Sequence, residues 1–254
     1  MNIYSEEELE QLEQEEHEIT EEALILMFAT ITSTKTELEN ELRSFYQKYG
    51  KDGVVNYAEA RKWVSSNDKR KRLNVLLLFI TERFSLALDK LSQDFYKMVT
   101  DVIYKESKSF DVEIIPDDLV LKWGYDNLDW QSRLENDVAK WTAQIRADIK
   151  QSILQRKHLN DILEDLNHRF DSIERVLESL GISETTAVGT IARHEIFKEL
   201  GISKYKFYTR ADERTCEICG AMHGLIFPMS AYEVGVTASP MHPRCRCWEV
   251  PLPS

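Results

Sequence analysis

All four cysteines of the chain lie within 216–247, together with two of its six histidines. Cys216 and Cys219 have the two-residue separation of a zinc knuckle, in which a tight turn directs two thiolates at one ion. Cys245 and Cys247 are two positions apart, so on an extended segment their side chains face the same side. His242 lies just before this second pair. The spacing therefore predicts that these residues bind one zinc ion.

A closed tetrahedral zinc site needs four ligands, and His223 brings the number of candidates to six. Four cysteines are the simplest set, and three cysteines with His242 are the second. His223 ranks last, because it could also be a partner of a ligand or part of a turn. The cysteines could instead be free or buried thiols. They could also form disulfides once the protein has been released from the reducing interior of the cell.

We expect a structural site rather than a catalytic one. A catalytic zinc usually keeps three protein ligands and a water molecule, whereas the thiols here are numerous enough to close the coordination shell. The zinc-deaminase order, H-x-E followed by P-C-x-x-C, is absent from the sequence. The sequence also contains no HExxH, Walker loop or G-x-S-x-G motif.

The elements that position this cluster are predicted to be mainly α-helical. Five of the six prolines follow residue 227, which favours a helical body and a short, loop-rich end. Apolar residues also recur every three or four positions, as on one face of a helix. The two clearest stripes are Leu73, Leu77, Ile80, Phe84, Leu88, Leu91, Phe95, Met98 and Val102, and then Leu134, Val138, Trp141, Ile145, Ile149 and Ile153. We expect an elongated helical-bundle body with a small, zinc-stapled C-terminal module of α+β or loop structure.

Capping residues and breakers predict where the other elements begin and end. Gly181 is expected to end one helix as a left-handed cap, and Ser183 to cap the next, which stops at Gly201. Pro116 is expected to break a connector over 106–118. The remaining predicted elements are helices over about 20–48, 57–66 and 160–180, and a short strand over 204–210.

Charge is concentrated at the N-terminus. Residues 1–22 contain ten Glu and no Lys or Arg, so the other residues carry only −2 of the net charge of −12. We expect this segment to be a solvated helix or frayed arm, and the alternative is an arm that docks on a basic partner surface or repels DNA. The nearly neutral remainder gives no electrostatic footprint for sequence-independent nucleic-acid binding.

No secretory signal is expected, because the N-terminus is acidic and no apolar core of a signal peptide follows. Purely apolar runs such as Val75–Ile80 are far shorter than the roughly 20 residues that span a bilayer. We therefore expect a protein without a membrane partner, made in a reducing cytoplasm where disulfides are unfavourable.

Four strings around the cysteines resemble the phage minor head protein family, the head-morphogenesis proteins that include protein F of phage Mu. They are ARHE at 192–195, DERTCEICG at 212–220, HG at 223–224 and HPRCRC at 242–247. WGYDNLDWQSR at 123–133 also resembles the entry to the helical region of the family, so the resemblance covers about 120–251. One difference is His194, where the family usually has Thr.

The change from helical patterns to short segments after Gly201, together with the extent of the resemblance, predicts a division of the chain into three parts. They are an N-terminal helical region with its acidic arm (1–119), the helical part of the minor-head-protein domain (120–202) and a Cys/His zinc-binding tail (203–254). The resemblance also implies residues that brace the motif, namely Asp212, Arg214 and Thr215, with Arg193 and Glu195 on the preceding helix.

In function, the resemblance implies a minor capsid protein that is structural and not an enzyme. Such a protein joins the portal, scaffold and capsid proteins, with possible contact to packaged DNA, and assists head assembly and genome packaging or delivery. It is expected in the host cytoplasm during assembly and then in the virion, inside the head or near the portal.

Two other functions fit the Cys/His cluster less well. One is a metal-dependent hydrolase or nuclease that uses His223 and a nearby Glu, or a toxin-like transferase. The other is a nucleic-acid-binding zinc ribbon. The near balance of acidic and basic residues over 203–254 argues against the ribbon.

Overall fold

The computed structural model describes residues 6–56, 72–116, 119, 121–124 and 126–252. Four long helices account for most of them, as predicted for a mainly α-helical protein. The helices are α1 (Glu6–Tyr49), α2 (Arg72–Phe110), α3 (Trp130–Leu154) and α4 (Leu159–Glu199). None of the described helices combines the length and the apolar character needed to cross a membrane.

Short strands and helices complete the fold. β1 (Gly50–Lys51) and β2 (Val54–Val55) form a small hairpin after α1. The C-terminal part contains β3 (Lys204–Thr209), α5 (Glu217–Met222), β4 (Ile226–Pro228), a 3₁₀ turn (Met229–Ala231) and β5 (Cys247–Leu252). β3 is the central strand of an antiparallel sheet in the order β4-β3-β5. The predicted strand over 204–210 and the small C-terminal sheet are thus confirmed.

The chain divides into two compact units, and each is built from separate stretches of sequence. The first unit comprises Met1–Ile25, Asp94–Arg133 and Leu177–Ser254, and the second comprises Leu26–Gln93 and Leu134–Val176. All of the candidate metal ligands belong to the first unit. The division at residues 119 and 202 stays a prediction about domain organisation.

The two apolar stripes are buried as the sequence predicts. Every residue of the α3 stripe is buried, and in the α2 stripe only Leu88 is partly exposed. Each of these side chains loses contact with water on folding, which stabilises the folded state by about 1.5–3 kcal/mol for a large aliphatic residue.

Two helices are longer than predicted. α1 begins at Glu6 instead of about residue 20, and α2 continues to Phe110, which shortens the expected connector over 106–118. Leu9 and Leu12 explain the longer α1. Their side chains are only 1% and 4% exposed, and this burial stabilises the helix at its N-terminal end. The helix predicted over 57–66 lies outside the described residues.

The helix boundary predicted at Gly181 is wrong. α4 runs without a break through this glycine, and a Cβ built there would lie 3.0 Å from Cδ2 of Leu24 on α1. The absence of a side chain at Gly181 therefore lets α1 and α4 approach each other closely, and the residue is not a helix C-cap. Ser183 likewise lies inside the helix, where its Oγ donates to the carbonyl of Ser179. Gly201, with φ of +68°, follows the end of the helix at Glu199 as expected.

The segment that leads into α3 is fixed on α4 by a buried glutamate. Glu184 is fully buried and accepts hydrogen bonds from Trp123 Nε1 (2.9 Å) and Arg133 (2.6 Å). Arg133 also donates to Asp126 and to the carbonyl of Trp123, and its guanidinium lies over the indole ring. Trp130 is buried and stacks on Phe95 of α2, so this aromatic residue packs in the core.

Candidate metal centre

The thiols meet beside the central strand of the C-terminal sheet. Cys219 lies in α5, Cys247 begins β5, and Cys245 lies in the loop before β5. These three cysteines and Phe207 of β3 form one buried cluster. Cys216 caps the N-terminus of α5, where its Sγ accepts from the backbone N–H of Cys219. We call residues 204–252 the candidate metal module.

Five of the six predicted ligands are close to one another. Nε2 of His242 lies 3.1 Å from Sγ of Cys216 and 3.3 Å from Sγ of Cys219. Sγ of Cys219 lies 3.7 Å from Sγ of Cys245. The ligand atoms form two overlapping groups, Cys216–Cys219–His242 and Cys219–Cys245–Cys247, in each of which every pair lies within 4.8 Å. Cys219 is common to both groups.

The imidazole of His242 is oriented as a metal-binding histidine should be. Its Nδ1 lies 2.9 Å from the carbonyl oxygen of Pro243, to which it can donate a proton. A backbone acceptor for one ring nitrogen leaves the lone pair of the other free for a metal. That other nitrogen, Nε2, is the atom that faces the thiols of Cys216 and Cys219.

These donors fit a zinc ion. A Zn–S bond of about 2.3 Å gives a tetrahedron whose edge between two sulfurs is about 3.8 Å. The 3.7 Å between Cys219 and Cys245 matches that edge. Thiolates with an imidazole are also the donors that zinc prefers in closed structural sites. The candidate ligands therefore suit one tetrahedral ion, and the two groups leave the fourth ligand open between Cys245 and Cys247.

The thiols differ in acidity. The thiol of Cys247 donates to Cys245, which lowers the pKa of Cys245 to about 5 and raises the pKa of Cys247. Burial raises the pKa of Cys219 to about 12, and the nearby Cys245 adds to this rise. The N–H of Cys219 lowers the pKa of Cys216. Because metal binding needs thiolates, Cys245 and Cys216 are the more favourable ligands by charge.

His223, the sixth candidate, belongs to neither group of possible ligands. Its Nδ1 accepts from the backbone N–H of Thr209 at 3.2 Å, and its ring meets Tyr208 edge to face. Its backbone N–H donates to the carbonyl of Cys219 at the end of α5. The residue thus joins α5 to β3, which agrees with the turn role considered for it.

Asp212 and Thr215, predicted to brace the knuckle, form a hydrogen-bonded turn just before Cys216. Oδ1 of Asp212 accepts from Oγ1 of Thr215 and from the backbone N–H of Arg214. Arg246 donates from both terminal nitrogens to the two carboxylate oxygens of Asp212, each at 2.8 Å. This bidentate pair lowers the pKa of Asp212 to about 2. The pair connects the two halves of the motif, and the sequence analysis did not assign Arg246 to this role.

Arg193 and Glu195, the other two bracing candidates, occupy different environments. Glu195 is on the surface and pairs with Lys198. Arg193 is buried, and its guanidinium donates to Glu106 of α2 at 2.5–2.8 Å. Glu16 of α1 and Glu249 of β5 lie 3.4 and 3.8 Å from it. We call Arg193 with these three glutamates the arginine cluster.

The arginine cluster places three buried carboxylates around one cation. Burial raises the pKa of Glu16 well above its ordinary value, and the neighbouring Glu106 raises it further. Burial also raises the pKa of Glu249 to about 6. For Arg193, burial opposes the charged form, but Glu106 and Glu16 outweigh it and raise the pKa well above its ordinary range. The cluster thus holds a permanent cation among three buried carboxyl groups, and the pKa values of Glu16 and Glu249 are raised.

The sequence contains a signal for the burial of these glutamates. Glu16 stands where the stripe Leu9, Leu12, Thr20 and Ala23 requires a buried residue, and these neighbours are buried. Glu106 continues the α2 stripe after Val102 and before Phe110. A charged residue at a buried stripe position indicates a buried partner charge.

The expectation of a solvated or frayed acidic arm is wrong for the inner face of α1. Leu9, Leu12 and Glu16 are at most 4% exposed. The outer face fits the expectation, since Glu7, Glu8, Glu10 and Glu18 are exposed.

Part of the chain that includes the Cys/His cluster is similar to a known family. Residues 143–250 match the family described as phage Mu protein F like protein. The chain is therefore similar to the phage Mu protein F like family over this segment, which is less than half of its length. The match runs from within α3 into β5 and includes all six candidate ligands. Searches of the curated proteins and of the solved structures gave no match.

Proposed function

We propose that this chain is a phage minor capsid protein of the head-morphogenesis type. It would be a structural component that associates with the portal and the procapsid and assists head assembly and genome packaging or delivery. The match of residues 143–250 to the phage Mu protein F like family is the observation that carries this proposal. The expected partners are the portal, scaffold and capsid proteins, with possible contact to packaged DNA.

Within this function, the candidate metal module would be held by one structural zinc ion. Cys216, Cys219 and His242 would bind it with Cys245, and Cys247 is the alternative fourth ligand. The Sγ–Sγ and Sγ–Nε2 distances and the orientation of His242 support this set. Asp212, Arg214 and Thr215 would brace the turn before Cys216. The proposal assigns no catalytic role to the module.

A staple is needed because the module is small. It spans about fifty residues and has only a thin layer of buried apolar side chains of its own, so burial alone supplies little stability. A closed zinc site contributes directly to the folding free energy of such a module. The three-part division of the chain, with a boundary near residue 202, remains our proposal for its domain organisation.

The function is tested by following the protein through head assembly. We expect it to co-purify with procapsids and to be located inside the head or near the portal by labelling and electron microscopy. Heads assembled without it should be defective in assembly, packaging or delivery. Its absence from both procapsids and virions would contradict the proposal.

The metal is tested separately by native mass spectrometry of the purified chain. We expect one zinc per chain, and protection of the last fifty residues from protease that is lost when zinc is chelated. Cys216→Ser should lose the zinc, whereas His223→Ala should keep it, since His223 contacts Thr209 and not the thiols. Full protease resistance of the metal-free module would contradict a zinc staple.

A further inference from the structure

The acidic N-terminal helix packs directly on the candidate metal module. Leu9 and Leu12 of α1 share one buried hydrophobic cluster with Trp248 and Val250 of β5. β5 begins at Cys247, so the same strand carries a candidate ligand and the surface that receives α1. We call residues 9–24 of α1 the latch.

Two glutamates of the latch face arginines of the first unit. Glu13 lies 3.7 Å from Arg210, which directly follows β3. Glu16 approaches Arg193, which in turn lies 3.8 Å from Glu249 of β5. The first contact therefore depends directly on the metal module, whereas the second joins α1 to α4 and meets the module only through Glu249.

A small cavity lies where the latch meets the module. Its volume is about 30 Å³, and its lining includes Glu13, Glu16, Arg210, Cys245 and Cys247. Within the described part of the chain, Oε2 of Glu13, Oε1 of Glu16 and Nε of Arg210 are buried there without a hydrogen-bond partner. The volume and these polar atoms suit one bound water molecule. The latch and the candidate ligands thus border the same polar cavity.

We infer that closure of the latch and metal binding by the module are coupled. This inference depends on the proposed zinc site. Without the ion, Cys245 and Cys247 lose a shared partner. β5 is then held only by its pairing with β3, by its packing and by the bidentate contact of Arg246 with Asp212. Trp248, Val250 and Glu249 then present a less firmly fixed surface to Leu9, Leu12 and Arg193. Loss of metal would make this acidic helix open more often, and its buried face would then be available to a partner.

Coupling between two binding events is reciprocal. If metal favours the closed latch by a given factor, the closed latch favours metal by the same factor. The coupling can therefore be measured in two ways on one chain. One follows the latch when the metal is removed, and the other follows zinc affinity when the latch is weakened.

The first measurement is hydrogen exchange by mass spectrometry on the full chain, with zinc and after chelation. We expect amides in residues 9–24 to exchange roughly 5- to 150-fold faster after chelation, the usual range for coupled sites. Peptides from α3 in the second unit serve as the internal control and should change little. Unchanged exchange in 9–24 while the module itself loses protection would overturn the coupling.

The second measurement is zinc affinity of latch variants by competition with a chelator. Glu16→Gln and Leu12→Ala should weaken zinc binding, by up to the factor by which chelation favours latch opening, and that limit is reached when the latch is fully open. Glu18→Gln is the matched control, since Glu18 is exposed on the same helix. Circular dichroism checks folding, and Glu16→Gln provides the milder change if Leu12→Ala unfolds. Wild-type affinity in a variant whose latch exchanges rapidly would overturn the coupling.

The outcomes separate this inference from the zinc site on which it depends. A chain that binds no zinc disproves both. A chain that binds one zinc, with exchange in 9–24 indifferent to the metal, keeps the zinc site and loses the coupling.

Discussion

The first unit buries two polar clusters that balance their charge in different ways. The Cys/His cluster brings thiols and an imidazole together in two overlapping groups that share Cys219, and these donors could hold a metal ion supplied from outside. The arginine cluster contains its own cation, with Arg193 among Glu16, Glu106 and Glu249. The first cluster can therefore respond to metal supply, whereas the second is complete once the chain has folded. Glu249 and Cys247 lie on the same strand, so the permanent cluster borders the responsive one.

Substitution of the thiol shared by both ligand groups should have the largest effect. Cys219→Ser is expected to abolish zinc binding and unfold the metal module, because every candidate ligand set includes this residue. Cys247→Ser should retain zinc if Cys245 is the fourth ligand. Native mass spectrometry and limited proteolysis measure both variants. Retention of zinc by Cys219→Ser would remove the basis for the proposed ligand set.

Removal of the internal cation should have the next largest effect. Arg193→Met leaves buried carboxylates without their counter-charge, which typically costs about 3–5 kcal/mol of folding free energy. Urea unfolding measures the loss. Arg244→Met is the control, since Arg244 pairs with Glu178 where both side chains are largely exposed, and such pairs contribute at most about 1 kcal/mol. Equal effects of the two substitutions would contradict the distinct role of the arginine cluster.

The latch should weaken as the pH rises. Burial raises the pKa of Glu13 to about 7, with Arg210 and Arg193 opposing and Glu249 adding to the rise. A raised folded-state pKa stabilises below the unfolded value, and this contribution is lost as the pH rises through 7, up to about 3 kcal/mol. Hydrogen exchange of residues 9–24 should therefore accelerate between pH 5 and 8, after correction for intrinsic rates.

Glu13→Gln is the control for this pH dependence, because it removes the titrating group and leaves the thiols unchanged. The thiols and His242 respond to pH in the opposite direction, since metal binding releases protons. The difference between wild type and Glu13→Gln isolates the contribution of Glu13. A difference that does not vary with pH would contradict it.

The smallest expected effect concerns a glycine that makes room for a carboxylate. A Cβ at Gly189 would lie 2.6 Å from Oε1 of Glu16, so Gly189→Ala should displace Glu16 from the arginine cluster. We expect a net loss of about 1–2 kcal/mol, because helix propensity returns up to about 1 kcal/mol. Gly220→Ala in the metal module is the matched control, as its Cβ would meet only Thr215 at 3.8 Å. Thermal unfolding that ranks the two equally would contradict this account.

Much of the fold follows from periodicity alone. The stripes of α2 and α3 and the strand at 204–209 could be predicted because each depends on neighbours within the same element. The prediction at Gly181 is wrong, because the local sequence does not distinguish a glycine that ends a helix from one that lets a neighbouring helix approach. Only the position of Leu24 distinguishes them.

The sequence by itself indicated the resemblance to the family and the six candidate ligands, because these residues lie within a short stretch and their spacing carries the information. The tertiary structure decided that His223 contacts Thr209, and that His242 faces two thiols. It also decided that Glu16, Glu106, Arg193 and Glu249 meet, although they come from four distant parts of the chain. The spacing of apolar residues along one helix or strand indicates which of its side chains are buried together. The pairing of buried charges between elements depends on long-range packing, which no short stretch of sequence contains.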